Sequence, residues 1–117
     1  MNDHIWDYQP VVDRVSGTDL VGYRVEATDG HIGKVDRHSD EVGSSYLVVD
    51  TGVWIFGKHV LLPAGTIVRI DPEAETIYVG RTKAEIKAAP EFKKESPAVD
   101  AAYRQQADGY YGRFPLA

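Results

Sequence analysis

Residues 20–80 consist of short runs of β-branched and aromatic residues, each followed by Gly, Asp or Pro. This punctuation is typical of short β-strands joined by tight turns. About six strands in about 60 residues is the spacing of a small barrel, so we expect a mainly β fold with a six-stranded antiparallel β-barrel. The expected strands are Leu20–Thr28, His31–His38, Tyr46–Thr51, Thr66–Ile70 and Thr76–Val79, with the apolar runs Val53–Phe56 and Val60–Pro63 following bends at Gly52 and Gly57 and with a polar loop at Ser39–Ser45.

The stretch TDGHIGKVD, from Thr28 to Asp36, lies between the first two expected strands. Asp29-Gly30 favours a type I′ hairpin turn. A bulge at Gly33 would place Ile32 and Val35 on the same face of the second strand. Glycines and a lysine also form phosphate-binding loops, but those loops need a longer glycine spacing and a following helix. A strand follows here, so the glycines indicate a hairpin rather than a nucleotide site.

The composition narrows the possible functions. The chain has 117 residues and no cysteine, which suits one domain and excludes disulfides, zinc–thiolate sites and a cysteine nucleophile. Its net charge of -5 disfavours broad nucleic-acid binding, which depends on Lys and Arg. No apolar run approaches the roughly 20 residues that span a bilayer, and the N-terminus lacks a signal-peptide pattern. We therefore expect a cytoplasmic protein with no membrane span.

The barrel is expected to have an extension at each end. Residues 1–19 form an N-terminal extension, residues 20–92 the barrel domain, and residues 93–117 a helical, aromatic C-terminal tail. Thr82 and Glu85 match a capping box, which predicts a short helix over Lys83–Ala89. Ser96-Pro97 is typical of a second helix start, and that helix is expected to end near Gly109.

Ionisable residues give no convincing catalytic or metal pattern. His38 neighbours Asp36 and Asp40, but this spacing is more typical of a solvated loop than of a metal site. Asp50 is expected to end a strand and to bond the amides of the turn at Gly52. An enzyme that uses Asp50 or His59 stays open, although no further group supports it. The sequence predicts no catalytic residue, no metal site and no cofactor.

Several large aromatic residues lie outside the expected barrel, which indicates that their rings pack against another surface. Such rings either pack back onto their own barrel or bridge to another subunit, where Tyr and Trp anchors are favoured. Trp54 and Phe56 alternate with Val53 and Ile55 along the chain, so one pair faces inward, and we expect Trp54 and Phe56 to face a partner or a tail. The candidate contact residues are Trp6, Tyr8, Trp54, Phe56, Tyr110, Tyr111 and Phe114.

Four stretches together resemble the PRC-barrel family. They are VGYRVEATDGHIGKVD at 21–36, YLVVDTGVWIFGKHVLLP at 46–63, the IVRID and IYVG pair within 67–80, and TKAEIKAAPEF at 82–92. The family includes the H subunit of the photosynthetic reaction centre, the C-terminal half of the ribosome maturation factor RimM, and small stand-alone bacterial proteins. The stretch IKAAPEF is more similar to the reaction-centre branch than to the RimM branch.

The resemblance implies a six-stranded barrel that serves as an assembly surface, without shared catalytic residues or an obligatory cofactor. We therefore expect a non-enzymatic protein–protein interaction module that self-associates, with a homodimer as the first expectation and a further protein partner that the sequence does not identify. The alternative is a module that binds RNA, the ribosome or a small ligand. RNA binding would require aromatic residues in a basic groove, which the acidic balance disfavours.

Overall fold

The structure, a computed structural model, describes residues 5–8, 19–41, 44–52, 59–89 and 101–112. Its elements are β1 (Arg24–Ala27), β2 (Gly30–Glu41), β3 (Ser44–Asp50), β4 (His59–Pro63), a 3-10 turn (Ala64–Thr66), β5 (Ile67–Asp71), β6 (Thr76–Val79), α1 (Lys83–Lys87) and α2 (Ala101–Tyr111). The fold is mainly β, as predicted. The six strands form one sheet in the order β4-β3-β2-β1-β6-β5.

The sheet is mixed and open, so the predicted closed antiparallel barrel is wrong in these two respects. β1 and β6 pair in parallel, whereas the other neighbouring strands pair antiparallel. These pairings make β4 and β5, the two edge strands, run in the same direction. Parallel neighbours need a crossover of about a dozen residues or more, but only the turn Ala64–Thr66 separates these strands. No ladder joins the two edges among the described residues.

The observed strands differ in length from the predicted ones. β1 begins at Arg24 rather than at the start of Leu20–Thr28. A turn occupies the residues before it, because Gly22 adopts a φ of 88°, and Val21 is 52% exposed. β2 and β3 both extend into the stretch Ser39–Ser45, which the sequence predicts as a loop, because their ladder continues through it. Backbone pairing thus persists where the side chains are polar.

The first hairpin forms, but not with the predicted turn. Ala27 pairs with Gly30, so the turn residues are Thr28 and Asp29. Asp29 does not have the positive φ that a type I′ turn requires, which makes that prediction wrong. The Asp29 carboxylate instead accepts a hydrogen bond of 2.8 Å from the Lys83 amide. A contact with α1 therefore fixes the turn.

The predicted bulge in β2 is present beside Gly33. Val25 pairs with Gly33 and Glu26 with His31, which leaves Ile32 as the extra residue. Both Ile32 and Val35 are buried, as the bulge interpretation requires. A Cβ atom at Gly33 would overlap the carbonyl group of Asp50. Glycine is needed here because two backbones approach each other closely.

The strands at the two ends of the sheet differ in how deeply their side chains are buried. Leu47, Val48 and Val49 are consecutive buried residues in β3, and the last four residues of β4 are also buried. Successive side chains of a strand point to opposite faces, so both faces of these strands are covered. We call β3 and β4 the covered half. In β1, β5 and β6, the uncovered half, exposed or half-buried residues interrupt the buried ones.

Two helices follow the sheet. The capping box is confirmed, because the Glu85 amide donates to Thr82 Oγ1 at 3.1 Å and the Thr82 amide donates to Glu85 Oε1 at 2.8 Å. α1 ends at Lys87 rather than at the predicted Ala89. α2 contains Gly109 rather than ending there, and its predicted start at residues 96–97 lies outside the described residues. Neither helix in the described part of the chain is long and apolar enough to cross a membrane.

Candidate interaction surface

Trp6 lies where the N-terminal segment, β3 and α2 meet. Its side chain is 4% exposed. The ring packs edge-to-face against Tyr46, with 6.4 Å between the centroids, an arrangement that aromatic pairs prefer. The indole Nε1 donates a hydrogen bond to the Asp108 carboxylate, and the Arg104 guanidinium lies 4.8 Å from the ring centroid. Trp6 therefore joins both ends of the described chain to the sheet.

Backbone hydrogen bonds fix the N-terminal segment to the covered half. The Ser45 amide donates to the Trp6 carbonyl oxygen and the Gly65 amide donates to the Ile5 carbonyl oxygen, each at 2.7 Å. A Cβ atom at Gly65 would lie 2.8 Å from both Ile5 Cα and the Ile5 carbonyl oxygen. Glycine at position 65 therefore allows the segment to approach the 3-10 turn. The segment is a backbone-bonded part of the fold.

α2 brings two neighbouring tyrosines to the same region. Tyr111 is 2% exposed, and its hydroxyl donates to the Leu61 carbonyl oxygen at 3.4 Å. The Tyr110 hydroxyl donates to the Glu85 carbonyl oxygen, and the two rings meet edge-to-face with centroids 5.1 Å apart. Burial raises the pKa of Tyr103 above its usual value. Burial, followed by the neighbouring tyrosines, does the same to the pKa of Tyr111.

Four of the seven predicted contact residues are described, and they lie in this region. Trp6 and Tyr111 are buried against their own sheet, whereas Tyr8 and Tyr110 are half-buried and pack against the core. Contact with another subunit stays a prediction for all of them. Trp54, Phe56 and Phe114 lie outside the described residues. We define the aromatic clasp as Trp6, Tyr8, Tyr46, Tyr103, Tyr110 and Tyr111.

Three residues of this region are not singled out by the sequence, namely Tyr46, Arg104 and Asp108. Tyr46 begins the apolar part of β3, and the pattern assigns it only to the barrel. Tyr103 counts among the large rings outside the expected barrel, but it is not one of the candidate contact residues. Arg104 and Asp108 are four residues apart, which places them on one face of a helix. That spacing is a usable signal, although it does not identify Trp6 as their common partner.

A row of polar side chains crosses β2, β3 and β4 at the point where β3 ends and β4 begins. Lys34 pairs with Asp50, and Asp50 pairs with His59, so the three side chains share a face. The structural interpretation of Asp50 is confirmed, because its Oδ1 accepts a hydrogen bond of 2.9 Å from the Gly52 amide. His59 Nε2 lies 3.9 Å from Asp36 Oδ2, an ion pair when the imidazole is protonated. Asp50 and His59 are therefore neighbours in this row, but the Asp50 carboxylate is hydrogen-bonded to the backbone of its own turn.

His38 has a structural partner rather than a metal-binding arrangement. It lies in β2 together with Asp36 and Asp40, where the sequence predicts the end of a strand and a loop. Its Nε2 lies 3.2 Å from the Leu20 amide, which donates to it, and 3.6 Å from Asp19 Oδ1. The described parts of the chain contain no group of three or more His, Asp or Glu side chains that could hold a metal ion.

A shallow groove of about 390 Å³ lies beside the end of β3. Its ionisable residues do not converge on one point, because His31 Nδ1 contacts Glu26 at 2.6 Å and Asp50 bonds to the turn. Lys34 remains at the rim with an exposed side chain. The groove is lined by His31, Ile32, Gly33, Lys34, Asp50, Thr51 and Gly52.

The uncovered half carries a polar outer face. The Arg69 guanidinium lies 5.0 Å from the Tyr78 ring centroid. Glu26 contacts both Arg24, at 3.6 Å, and His31, at 2.6 Å. Exposed ion pairs of this kind contribute little to stability. This face is a solvated surface with one half-buried aromatic ring.

Comparisons with known proteins identify no family. No protein family model matches the sequence, and no curated protein matches it. Among solved structures, the chain is similar to the 16S ribosomal RNA processing protein RimM from Pseudomonas aeruginosa, at 22% identity and a TM-score of 0.45. The similarity covers 52% of this chain and 40% of the RimM chain, less than half its length. This similarity does not support the expected closeness to the reaction-centre branch. At this level of identity and coverage it assigns no function to the chain.

Proposed function

We propose that this chain is a non-enzymatic, cytoplasmic interaction module that associates first with a second copy of itself. The aromatic clasp is the observation that carries the proposal. Segments far apart in the chain bring Trp6 against Tyr46 and against α2, the helix that carries Tyr110 and Tyr111. Tyr and Trp are enriched at protein interfaces, where they dominate the binding free energy.

The rim of the clasp supplies the contact surface. The half-buried members of the clasp pack against the core and keep part of their surface accessible, namely Tyr8, Tyr46, Tyr103 and Tyr110. Partly exposed rings around a buried centre can gain burial against a partner without unfolding the monomer. This gain requires no rearrangement of Trp6 or Tyr111, which already pack inside the chain.

The ionisable groups support a role without catalysis. Among the residues that the structure describes, the shifted pKa values belong to Tyr103 and Tyr111, and both are upward. A catalytic acid or base needs a pKa near the working pH, and these shifts move the tyrosines further from neutrality. Asp50 and His59 are adjacent, but Asp50 is bonded within its own turn. These groups therefore favour a structural explanation.

The proposal is tested by measuring the association constant. We expect sedimentation velocity of the wild-type chain to show a concentration-dependent dimer. Tyr110→Ala should weaken the dimer by about 30-fold, which corresponds to about 2 kcal/mol for a tyrosine at an interface centre. Tyr111 is left unchanged because its ring is in the core.

Tyr78→Ala is the matched control, because Tyr78 is a half-buried tyrosine on the uncovered half. It should leave the dimer unchanged. A monomer at every concentration would contradict self-association, and equal weakening by both substitutions would contradict the assignment to the clasp. Circular dichroism of both variants checks that the fold is retained.

A second candidate function is binding of single-stranded RNA on the uncovered half. Tyr78 under the Arg69 guanidinium, with Arg24 on the neighbouring strand, combines the ring and the cations that such binding uses. The net charge of -5 opposes it. A salt-sensitive gel shift that Arg69→Ala weakens and Tyr110→Ala does not would favour this function. Absence of any shift would exclude it.

A further inference from the structure

The two charged residues of α2 both contact Trp6. Asp108 accepts the hydrogen bond of the Trp6 indole, and the Arg104 guanidinium lies 4.8 Å from the centroid of the Trp6 ring. The other residues of the helix are alanine, glutamine, glycine and tyrosine. The surface that α2 presents away from Trp6 therefore carries no formal charge.

One side of α2 combines an exposed residue with two half-buried rings. Tyr103, Gln106 and Tyr110 follow one another at intervals of three and four residues, so they lie on the same side of the helix. Gln106 is exposed, whereas both tyrosines are half-buried. Ala107 and Tyr111, on the adjoining side, are buried in the core. We call Tyr103, Gln106 and Tyr110 the α2 flank.

The composition of the α2 flank suits burial against another protein. Interface cores are poor in charged residues and rich in tyrosine. Covering Gln106 removes no charge from water, and its amide offers both a donor and an acceptor to a partner. The flank therefore fits an uncharged surface with aromatic rings better than it fits a charged peptide or a nucleic acid.

The α2 flank is complementary to a second copy of itself. A two-fold axis beside Gln106 makes the two helices antiparallel, so each helix end faces the oppositely polarised end of the other helix. Tyr103 of one copy then lies near the partner's Tyr110, because Tyr103 precedes Gln106 by three residues and Tyr110 follows it by four. The two Gln106 amides meet at the axis, where each can donate to the other and accept from it.

We propose that two copies of this chain associate by packing their α2 flanks antiparallel around a two-fold axis beside Gln106. The inference rests on the proposed self-association and names its central contact. Trp6 and Tyr111 keep their places in the core. Tyr110 lies about 6 Å from Gln106 along the helix, near the centre of the contact, where its ring can pack against the partner's Tyr103 in the arrangement that aromatic pairs favour.

Opposite charges introduced at position 106 test the axis. Gln106→Glu and Gln106→Lys should each weaken the dimer about tenfold at low salt, because two like charges then face each other. An equimolar mixture of the two variants should restore association, because a glutamate then faces a lysine. Sedimentation velocity of each variant and of the mixture measures these constants. Glutamine, glutamate and lysine have similar helix propensities, so the helix itself is retained.

Gln105→Glu and Gln105→Lys are the matched control. Gln105 is an exposed glutamine of the same helix, but it projects about 100° away from Gln106 around the helix axis. These two variants should leave the dimer unchanged, both separately and mixed. Equal weakening at positions 105 and 106 would overturn the α2 flank as the contact. A mixture of the Gln106 variants that associates as weakly as each variant alone would also overturn it.

Cross-linking provides a second measurement without added charge. The chain has no cysteine, so Gln106→Cys carries a single thiol beside the axis. With a short bis-maleimide, at the concentration where sedimentation shows dimer, this variant should form covalent dimer faster than Gln105→Cys. Equal rates would contradict the position of the axis.

The outcomes separate this contact from the proposed function. A dimer that Tyr110→Ala weakens but that both Gln106 charge variants leave unchanged would overturn the α2 contact and leave self-association at the clasp intact. A wild-type chain that is monomeric at every concentration would overturn both.

Discussion

The covered and uncovered halves of the sheet differ in how many faces they bury. In β3 and β4 the buried residues are consecutive, because core side chains cover one face and the terminal segments cover the other. In β1, β5 and β6 the outer face carries charged residues and Tyr78. A strand with two apolar faces needs a layer on each side. The described terminal segments are therefore structural layers of the fold as well as candidate contact surfaces.

Removing the central ring of the clasp should produce the largest difference between the halves. Trp6→Ala should lower the free energy of unfolding by about 3–5 kcal/mol, the usual cost of deleting a buried Trp side chain. Tyr78→Ala, on the uncovered half, should cost about 1 kcal/mol. Urea denaturation of both variants measures the two losses. Equal losses would remove the distinction between the halves.

A methyl group added at position 65, in the 3-10 turn, should push the N-terminal segment away from the sheet. Gly65→Ala would place its Cβ atom 2.8 Å from Ile5 Cα, so the segment must shift. We expect a loss of about 1–3 kcal/mol, as for other overpacked sites. Thermal unfolding measures it, and in a Trp54→Phe background, where Trp6 is the remaining tryptophan, the fluorescence should shift to that of a more exposed indole. An unchanged melting temperature would show that the segment is not bound there.

Alkaline pH should destabilise the fold through two tyrosines of α2, Tyr103 and Tyr111. Burial raises the pKa of Tyr103 and Tyr111 in the folded chain, whereas in the unfolded chain they ionise near pH 10. Below about pH 10 both states keep the protons and stability is unaffected. Above it only the unfolded state loses them, so stability falls by up to about 1.4 kcal/mol per pH unit for each tyrosine.

Tyr111→Phe provides the control for the alkaline effect. The substitution removes one ionisable hydroxyl, so the slope of stability against pH above about pH 10 should become shallower. Urea denaturation between pH 8 and about pH 11.5 measures both slopes. Identical slopes would mean that the Tyr111 hydroxyl is accessible to water in the folded chain.

The smallest predicted effect has the opposite sign. Gly109→Ala should stabilise the chain by about 0.5–1 kcal/mol, because the helix gains propensity and the new methyl group meets no other atom. Urea denaturation measures the gain. Gly65→Ala is the natural comparison, because the same chemical change is destabilising there. A loss of stability at position 109 would show that the glycine has a packing role.

Local features of the fold were predictable from the sequence. The bulge beside Gly33, the capping box at Thr82 and Glu85, and the turn held by Asp50 depend on residues close together in the chain. The pairing of β1 with β6 does not. It depends on the corner at Ala64–Thr66, where the chain keeps its direction between two edges. No turn signal in those residues distinguishes a corner from a hairpin.

The candidate surface was predictable only in part for the same reason. The number of large rings outside residues 20–92 indicated that the termini bury something. The partner of Trp6 could not be read from the sequence, because Asp108 is 102 residues away. The predicted turn type at Asp29 was wrong for the same reason, since the Asp29 carboxylate accepts a hydrogen bond from an amide 54 residues later in the chain. Long-range polar partners leave no periodic signal.

Hydrogen exchange at two amides tests most directly whether the N-terminal layer covers the sheet. The Ser45 and Gly65 amides donate to the Trp6 and Ile5 carbonyl oxygens. If the segment is part of the fold, both amides should exchange as slowly as those in the centre of β3, with protection near the global free energy of unfolding. Exchange of both amides at the rate of an unstructured peptide, with β3 still protected, would contradict the account.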